Sequence, residues 1–396
     1  MISIIIPAYN SSATIVESLE SVLAQTVWSQ WAVASEQLAV GKSEAQVVAD
    51  VPAAVQGTLC ESMRSPGRRT PPFVTHLTPP ISPPYEVIIV DDCSTDDTVA
   101  VVQRWMAEKE LLSKSTNDLL FSSSTTGAWR VLRQAQNAGP AAARNAGIME
   151  AKGDWIAFLD ADDIWLPHRV EAGLYYVRSH PATVMVCGKS ISIGAEDSRR
   201  TTLTKEGAEE HYSVNDSMPV LNYTLDDFLL INPVATSTVL IRKDVLKKVG
   251  GFDAQFRGPE DYDLWLRVVA ERGVVRLEIP VSGYRHRPGS LSLDDRKFLP
   301  QVIRVLDKAY ARGGVYEHRK GHARAVAYQW LCGAWSAAER GDFRRAVQCF
   351  VTSFLNWPWP ISGDPDLRWA RSKVGYYIGK SIFRRNQVGV GAKHTS

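Results

Sequence analysis

The fold of this chain can be inferred from WIAFLDADDIWLP, residues 155–167. Its first five residues are apolar, as expected for a strand that is buried on both faces of a parallel sheet. Asp160 to Asp163 follow at once, where such a strand would end. An apolar strand that runs directly into acidic residues is typical of an α/β protein that binds its ligand at the carboxyl ends of its strands.

The same pattern recurs on both sides of this stretch. Further strands are predicted at Ile2–Ile6, Val87–Val90, Trp129–Leu132 and Thr183–Cys187. Helical segments separate them, and Gly139-Pro140 opens one of these because proline is well suited to the first position of a helix. The alternation of strand and helix predicts a mostly parallel sheet with helices on both faces.

Two stretches interrupt this rhythm. Residues 27–84 are rich in proline, serine and alanine, which predicts a disordered or loosely packed insert, unless the stretch is not native coding sequence. A smaller insert is predicted at 113–128. Both follow a helix and precede a strand, so both should lie at the edge of the sheet opposite the binding edge.

Composition narrows the class of protein. The chain has 396 residues, 45% of them hydrophobic, and a net charge of +2, which predicts a packed core and argues against a general nucleic-acid binder. Five scattered cysteines show no metal-binding spacing and favour a reduced compartment. The initial apolar run is too short for a signal peptide, so we expect a cytoplasmic protein, free or at the inner face of the cell membrane.

Four polar clusters each come directly after a predicted strand, at 7–10, 91–92, 137–145 and 160–163. They should therefore meet at one edge of the sheet. A single aspartate in such a place usually caps the next helix, but four clusters together make capping a poor sole explanation. Asp160 and Asp162 lie one residue apart, so their carboxylates could share one hard cation with a diphosphate. Such a cation would stabilise a diphosphate leaving group.

Several segments resemble family 2 glycosyltransferases, which have the GT-A fold. They are IIIPAYNSSATIVESLESVLAQT, EVIIVDDCSTDDT, QNAGPAAARNAGI, WIAFLDADDIWLP, GGFDAQFRGPEDYDLWLR and YRHRPGSLS. Together they cover residues 1–26, 85–188 and about 236–292. The resemblance implies transfer of a sugar from a nucleotide-diphosphate donor, with a UDP-sugar favoured, to an acceptor hydroxyl. It also implies Mn²⁺ or Mg²⁺ as cofactor, a carbohydrate or lipid-linked glycan as acceptor, and a place in surface polysaccharide or glycoconjugate synthesis.

The resemblance assigns roles to individual residues. Pro7, Ala8, Tyr9 and Asp92 would line the nucleoside pocket, Asp160 and Ala161 would lie near the ribose and the metal, and Asp162 would be the principal metal ligand. Arg144 could approach the donor or form a structural ion pair. His286 or Arg287 could reach the diphosphate, or have a surface role only.

Asp261 is the predicted catalytic residue. Glu260-Asp261 resembles the glutamate–aspartate pair of this family, in which the aspartate is the base. Transfer requires a carboxylate that accepts the proton of the acceptor hydroxyl. One base without a protein nucleophile implies a single displacement with inversion. The alternative is that both acids only favour the N-terminus of the following helix.

The resemblance predicts a GT-A domain over residues 1–295 and a helical extension over 296–396. Two consecutive helices in the extension look like one tetratricopeptide unit. A helix at 366–385 has an apolar face and basic residues, so it would lie either on an anionic membrane or packed on the protein.

The sequence leaves two other functions open. A non-catalytic sugar-nucleotide-binding or scaffolding subunit is the main alternative, and the large insert is the feature that supports it. A nucleotidyltransferase ranks lower because no glycine-rich phosphate loop follows the first strand.

Overall fold

The computed structural model describes residues 1–26, 85–116, 129–193, 212, 214–286, 294–361 and 371–379. The predicted insert at 27–84 lies outside these ranges, as does most of the insert at 113–128. The chain forms two compact units. The first comprises Met1–Thr224, Val234–Ala254 and Glu271–His286, and the second comprises Leu225–Pro233, Gln255–Ala270 and Arg287–Ser396. The predicted boundary at residue 295 stays a prediction.

The first unit is built on a nine-stranded sheet. The strands are β1 (Ile2–Ala8), β2 (Tyr85–Asp91), β3 (Trp129–Arg133), β4 (Trp155–Phe158), β5 (Ile164–Trp165), β6 (Met185–Ile193), β7 (Val220–Asn222), β8 (Leu240–Arg242) and β9 (Val274–Arg285). Their order is β3-β2-β1-β4-β8-β6-β9-β5, with β7 paired to β9. The helices of this unit are α1 (Ile15–Leu23), α2 (Thr98–Thr116), α3 (Pro140–Glu150), α4 (Arg169–Ser179) and α5 (Lys243–Val249).

The α/β fold class is confirmed, and four of the five predicted strands form one half of the sheet. The fifth, predicted at Thr183–Cys187, begins at Met185 and lies in the other half, where it is antiparallel to β8 and parallel to β9. Strands β3, β2, β1 and β4 are parallel neighbours. The other half contains antiparallel pairs. Strand β8 is antiparallel to β4 and β6, and β9 is antiparallel to β5 and β7. Three of these strands have only two or three residues, too few for a periodic pattern to reveal them.

Strand β1 is longer than predicted, because Pro7 does not end it. Pro7 pairs with Val90 of β2, and the strand continues to Ala8. The backbone of Ile5 faces β4, since its carbonyl accepts a hydrogen bond from the N–H of Leu159. Pro7 faces the same side two residues later, beyond the last β1–β4 pair, so its missing N–H removes no bond of the ladder.

The core of the first unit lies between the sheet and its helices. All residues of β1 and β2 are buried, as the continuous apolar runs predicted. Ile15, Leu19 and Val22 of α1 are fully buried on one helical face. Burial of one such side chain contributes about 1.5–3 kcal/mol. This core fixes the strands whose carboxyl ends carry the polar clusters.

The second unit is helical. Its helices are α6 (Glu260–Val269), α7 (Asp295–Tyr310), α8 (His322–Glu339) and α9 (Phe343–Asn356), followed by a helix at 371–379. Helices α8 and α9 are the consecutive pair that the sequence predicted, and residues 340–342 join them. Their packing buries Leu331, Ala334 and Cys349 in one apolar cluster.

The predicted helix at 366–385 is described only over 371–379. Its apolar residues Val374 and Ile378 are buried in the same cluster, and Tyr377 stacks on Trp335 with ring centroids 4.7 Å apart. This is the packed arrangement of the two alternatives. Membrane association through 366–385 stays a prediction. Among the described helices, none has both the length and the hydropathy needed to span a bilayer.

Candidate active site

The acidic residues after β4 form a tight turn. The N–H of Asp163 donates to the carbonyl of Asp160 at 3.0 Å. Asp160 and Asp162 are half-buried, whereas Asp163 is only 3% exposed. The turn therefore presents the two predicted metal ligands to solvent and keeps the third carboxyl group inside.

The electrostatics of this turn change the pKa of Asp163. Burial, together with the nearby negative charges of Asp160 and Asp162, raises the pKa of its carboxyl group to about 8. The hydroxyl of Ser237 donates to its Oδ2 at 2.7 Å, and the N–H of Arg285 donates to its Oδ1 at 3.1 Å. Asp163 is therefore mostly protonated at neutral pH, and the negative charge of this short segment lies on Asp160 and Asp162, where a cation would stabilise it.

Contacts from distant parts of the chain fix the backbone of the turn. The N–H of Asp160 donates to the hydroxyl of Ser237 at 3.1 Å. The hydroxyl of Thr14, next to α1, donates to the carbonyl of Ala161 at 2.8 Å. Arg285, the last residue of β9, donates from Nε to the carbonyl of Asp162 at 3.0 Å. Thr14, Ser237 and Arg285 were not predicted as site residues, although Thr14 and Arg285 lie within two of the segments that resemble the family, IIIPAYNSSATIVESLESVLAQT and YRHRPGSLS.

Arg169 contacts the backbone of Ser237 and keeps this residue in place. The Arg169 guanidinium lies over the ring of Trp165 at 3.7 Å and donates to the carbonyl of Val239 at 2.6 Å. The carbonyl of Ser237 accepts from Trp165 Nε1 at 2.9 Å and from Arg169 Nε at 3.4 Å. Burial lowers the pKa of Arg169 to about 9. The side chain that contacts Asp163 is therefore attached to a rigid segment.

Arg144 forms an ion pair, which is one of the two roles predicted for it. The other role is a contact with the donor. Its Nη2 lies 2.7 Å from Oδ1 of Asp160, and its side chain is 6% exposed. The guanidinium also lies 5.3 Å from the ring centroid of Phe252. Arg144 therefore holds one oxygen of Asp160, and the contact with a donor stays a prediction.

Asp92 joins three of the polar clusters. Its carboxylate is buried and accepts from the N–H groups of Ala138 and Gly139, both at 2.8 Å. Its own N–H donates to the carbonyl of Ala8 at 2.8 Å. Gly139 precedes α3 with a φ of +89°, a backbone conformation that favours glycine. The role of Asp92 in nucleoside binding stays a prediction.

The first cluster leaves one large side chain accessible. Pro7 and Ala8 are buried within β1, whereas Tyr9 is 46% exposed. Asn10 follows with a φ of +48°, and its Oδ1 accepts from the N–H of Thr95 at 2.9 Å. Of the three nucleoside contacts predicted in this cluster, Tyr9 has the accessible ring, which a base could stack on.

His286 lies at the end of β9, and Arg287 lies outside the described residues. The His286 ring is 3.0 Å from the hydroxyl of Ser192 and packs edge-on against Tyr284. Their predicted contact with the diphosphate stays a prediction.

Asp261 belongs to the second unit and lies in the first turn of α6. Its Oδ1 accepts from the N–H of Tyr262 at 2.7 Å, and its Oδ2 accepts from the amide of Asn232 at 3.0 Å. Glu260 is buried and accepts from the N–H of Gly258 at 2.7 Å. The carboxylate of Asp261 is half-buried and fixed at both oxygens. This geometry is compatible with a base and with the alternative of a helix-stabilising acid.

Comparison with known proteins identifies the family of one part of the chain. Residues 74–250 match the model of glycosyl transferase family 2. This range contains Asp92, Arg144 and the turn at Asp160 to Asp163. The chain contains a family 2 glycosyltransferase domain. The predicted roles of Tyr9 and Asp261 depend on the resemblance outside the matched range.

Curated relatives of this glycosyltransferase domain are moderately similar. An uncharacterized glycosyltransferase from Haemophilus influenzae is 27% identical over 202 residues, which is 51% of this chain and 58% of the relative. The UDP-Glc:alpha-D-GlcNAc-diphosphoundecaprenol beta-1,3-glucosyltransferase WfaP of Escherichia coli is 25% identical over 222 residues, 56% of this chain and 73% of that protein. The chain spans about half the length of the first curated relatives that it matches.

Solved structures show the fold of the glycosyltransferase domain. The crystal structure of TarS 1–349 from Staphylococcus aureus, in complex with UDP-GlcNAc, aligns with a TM-score of 0.50 and 16% identity. The alignment covers 98% of this chain and 92% of that structure. The predicted GT-A fold is therefore confirmed.

The donor set of the acidic turn fits a metal that arrives with its substrate. In the part of the chain that the structure describes, no three histidine, cysteine, aspartate or glutamate side chains are arranged to hold a metal by themselves. Mg²⁺ and similar hard cations are commonly held by one or two carboxylates together with substrate phosphates and water. Asp162 and Asp160 supply such a pair, and Arg144 occupies one oxygen of Asp160.

Proposed function

We propose that the chain is an inverting, metal-dependent glycosyltransferase that moves a sugar from a nucleotide-diphosphate donor to an acceptor hydroxyl. The observation that carries this proposal is the acidic turn of Asp160 and Asp162 at the carboxyl edge of the sheet. Contacts from three distant segments fix that turn. A site that is held this rigidly is suited to stabilise a charge that develops at a defined place.

A UDP-sugar is the favoured donor. The relative from Escherichia coli is named for UDP-Glc, and the aligned structure from Staphylococcus aureus contains UDP-GlcNAc. In this chain the exposed ring of Tyr9 would pack against the base. Asp92 would act on the nucleoside directly or through the N–H groups that it orients at the start of α3.

Asp162 is the proposed principal metal ligand and Asp160 its partner. A bound Mn²⁺ or Mg²⁺ would supply Lewis-acid stabilisation to the diphosphate leaving group. Arg144 would keep Asp160 in place through its ion pair, and Arg285 would keep the backbone of Asp162 in place. Ser237 would limit the movement of the whole turn.

Asp261 is the proposed base. It would accept the proton of the acceptor hydroxyl while that oxygen attacks the anomeric carbon, and the nucleoside diphosphate would leave from the opposite face. The fixed carboxylate, held by Asn232 and by the helix N-terminus, supports this role because a base must be oriented before the reaction. A correctly placed general base typically contributes about 10²–10⁴-fold to the rate.

The acceptor is proposed to be a carbohydrate or a lipid-linked glycan in surface polysaccharide or glycoconjugate synthesis. The name of the relative from Escherichia coli, which acts on a diphosphoundecaprenol-linked sugar, supports this class. Such an acceptor would place the enzyme at the inner face of the cell membrane.

The proposal is tested with a panel of nucleotide sugars in the presence of Mn²⁺, with release of nucleoside diphosphate as the signal. Asp261→Asn should lower kcat by about 10²–10⁴-fold while UDP still binds. Asp307→Asn is the matched control, because Asp307 is an exposed aspartate of the same unit and should leave kcat unchanged.

The results that contradict the proposal are specific. If Asp261→Asn transfers sugar at the parental rate, the assignment of the base is wrong. If the parental chain binds UDP but neither transfers nor hydrolyses any donor, the alternative of a non-catalytic sugar-nucleotide-binding subunit is correct.

A further inference from the structure

Helix α9 has two apolar faces, and only one of them is buried. Ala346, Cys349 and Ser353 point into the second unit. On the other side, the exposed fractions are 45% for Val347, 48% for Val351, 42% for Phe354 and 80% for Leu355. These four residues follow each other at helical spacing, so they form one continuous stripe along the helix, which we call the α9 stripe.

Trp359 extends the α9 stripe beyond the end of the helix. Its side chain is 67% exposed. Arg371 holds this end in place, because it donates to the carbonyls of Ser353 at 2.9 Å and Trp359 at 2.8 Å. Its guanidinium also lies 4.4 Å from the ring centroid of Phe354. The exposed tryptophan is therefore attached to a fixed loop next to the stripe.

The opposite end of the α9 stripe is basic. An open cavity of about 430 Å³ is lined there by Arg296, Asp342, Arg344, Arg345 and Gln348. Asp342 forms an ion pair with Arg296, and buried Asp295 forms ion pairs with Arg340 and Arg345. The four arginines of this basic end outnumber its two aspartates, and the Arg344 side chain is exposed.

Charge is distributed unevenly along the chain. Residues 287–396 contain 19 lysines and arginines but only eight aspartates and glutamates, although the whole chain has a net charge of only +2. The segment that contains the α9 stripe is therefore strongly basic. Pairing of the stripe with a second copy of the chain would bring two basic surfaces together, which is unfavourable, whereas an anionic surface is complementary to it.

We propose that the α9 stripe docks on an anionic lipid bilayer. Leu355 and Trp359 would enter the interface between head groups and acyl chains, where tryptophan is favoured. The basic end around Arg344 would bind lipid phosphates. Helix α9 would lie in the plane of the membrane surface. This surface differs from the apolar face of the helix at 371–379, which is buried in the unit.

Vesicle co-sedimentation of the full chain tests the proposal without donor or acceptor, so its outcome is independent of sugar transfer. The parental chain should bind vesicles of 30% phosphatidylglycerol in phosphatidylcholine much more tightly than pure phosphatidylcholine, and added salt should weaken the binding. Leu355→Ser combined with Trp359→Ser should reduce binding at least about tenfold. Arg344→Gln should reduce it about fivefold.

Met149→Ser is the matched control, because Met149 is an 82% exposed apolar residue of the first unit. It should leave vesicle binding unchanged. Hydrogen exchange of residues 347–355 in the parental chain should slow when vesicles are added, and this measurement needs no variant. Equal binding to neutral vesicles, or parental binding by the double variant, would overturn the proposal. A double variant that changes only the oligomeric state would assign the α9 stripe to a second copy instead.

Discussion

Replacement of Ser237 by alanine is the most direct test of how the acidic turn is held. The substitution removes one hydroxyl that donates to Asp163 Oδ2 at 2.7 Å and accepts from the N–H of Asp160 at 3.1 Å. Ser237 is 1% exposed, so water cannot replace these bonds without a rearrangement. Because the pKa of Asp163 is raised to about 8, its carboxyl group is mostly protonated at neutral pH, so this hydrogen bond contributes about 0.5–1.5 kcal/mol, and an orphaned buried N–H costs about 1–3 kcal/mol more. Allowing for partial relaxation, we expect the free energy of unfolding to fall by about 2–3 kcal/mol.

The same substitution should also weaken the metal site. Ser237 fixes the turn that carries Asp162 through its bonds to Asp160 and Asp163, and loss of a supporting contact around a metal ligand commonly costs about 10–100-fold in affinity. Urea unfolding measures the first effect, and calorimetric titration of Mn²⁺ in the presence of UDP measures the second. Ser217→Ala is the control, because Ser217 is exposed and the same change there should stay within about 0.5 kcal/mol.

Two outcomes would refute this reasoning. If Ser237→Ala unfolds at the same urea concentration as Ser217→Ala, the buried hydroxyl contributes nothing, and the hydrogen bonds to Asp163 and Asp160 are wrongly assigned. If stability falls but the affinity for Mn²⁺ is unchanged, Ser237 supports the fold of the turn without positioning the metal ligands.

Three further predictions concern the metal, the backbone and a thiol. Asp162→Asn should weaken Mn²⁺ binding in the presence of UDP by at least about 100-fold, more than the loss of a supporting contact, whereas Asp154→Asn, at an 86% exposed position before β4, should not change it in the same titration. Gly273→Ala should destabilise the chain by about 1–3 kcal/mol in urea unfolding, because φ is +71° and the new methyl group would lie 2.5 Å from a carbonyl oxygen. Cys187 is buried, and burial raises the pKa of its thiol, so at neutral pH a maleimide should label half-exposed Cys93 in the native chain and spare Cys187 until the chain is unfolded, as peptide mass spectrometry would show.

The parallel half of the sheet could be predicted because its signals are local. Each of the four strands contains an apolar run, and turn or polar residues follow each run. The prediction for β1 was wrong at its end, because Pro7 is usually a strand breaker. Pro7 can lie within β1 because the pairing of β1 with β4 ends before it. The sequence around Pro7 does not show where that pairing ends. Three strands of the other half, β5, β7 and β8, have only two or three residues, too few for their own sequences to show a period.

Some residues of the candidate site could also be predicted from the sequence, and others could not. Asp92 and Asp160 could be predicted because each follows a recognisable strand. Their contacts with Gly139 and Arg144 bring the polar clusters together, as expected for strands that end at the same edge of a sheet. The sequence left two roles open for Arg144, and burial of its side chain with an ion pair at 2.7 Å supports the structural one. The roles of these residues toward a donor remain predictions.

The supporting residues were missed because their partners are distant in the chain. Ser237 lies 74 residues from Asp163, and Arg285 lies 122 residues from it. Arg285 lies within the segment YRHRPGSLS, but its contact with Asp163 is made by its backbone N–H, which any residue could supply, and the contact of Ser237 needs only one hydroxyl. A D-x-D tripeptide therefore shows where two carboxylates are close, but not whether their turn is rigid. In this chain the rigidity comes from β9, from the residues next to α1 and from the segment before β8. A variant in any of these segments should therefore change the site without changing an aspartate.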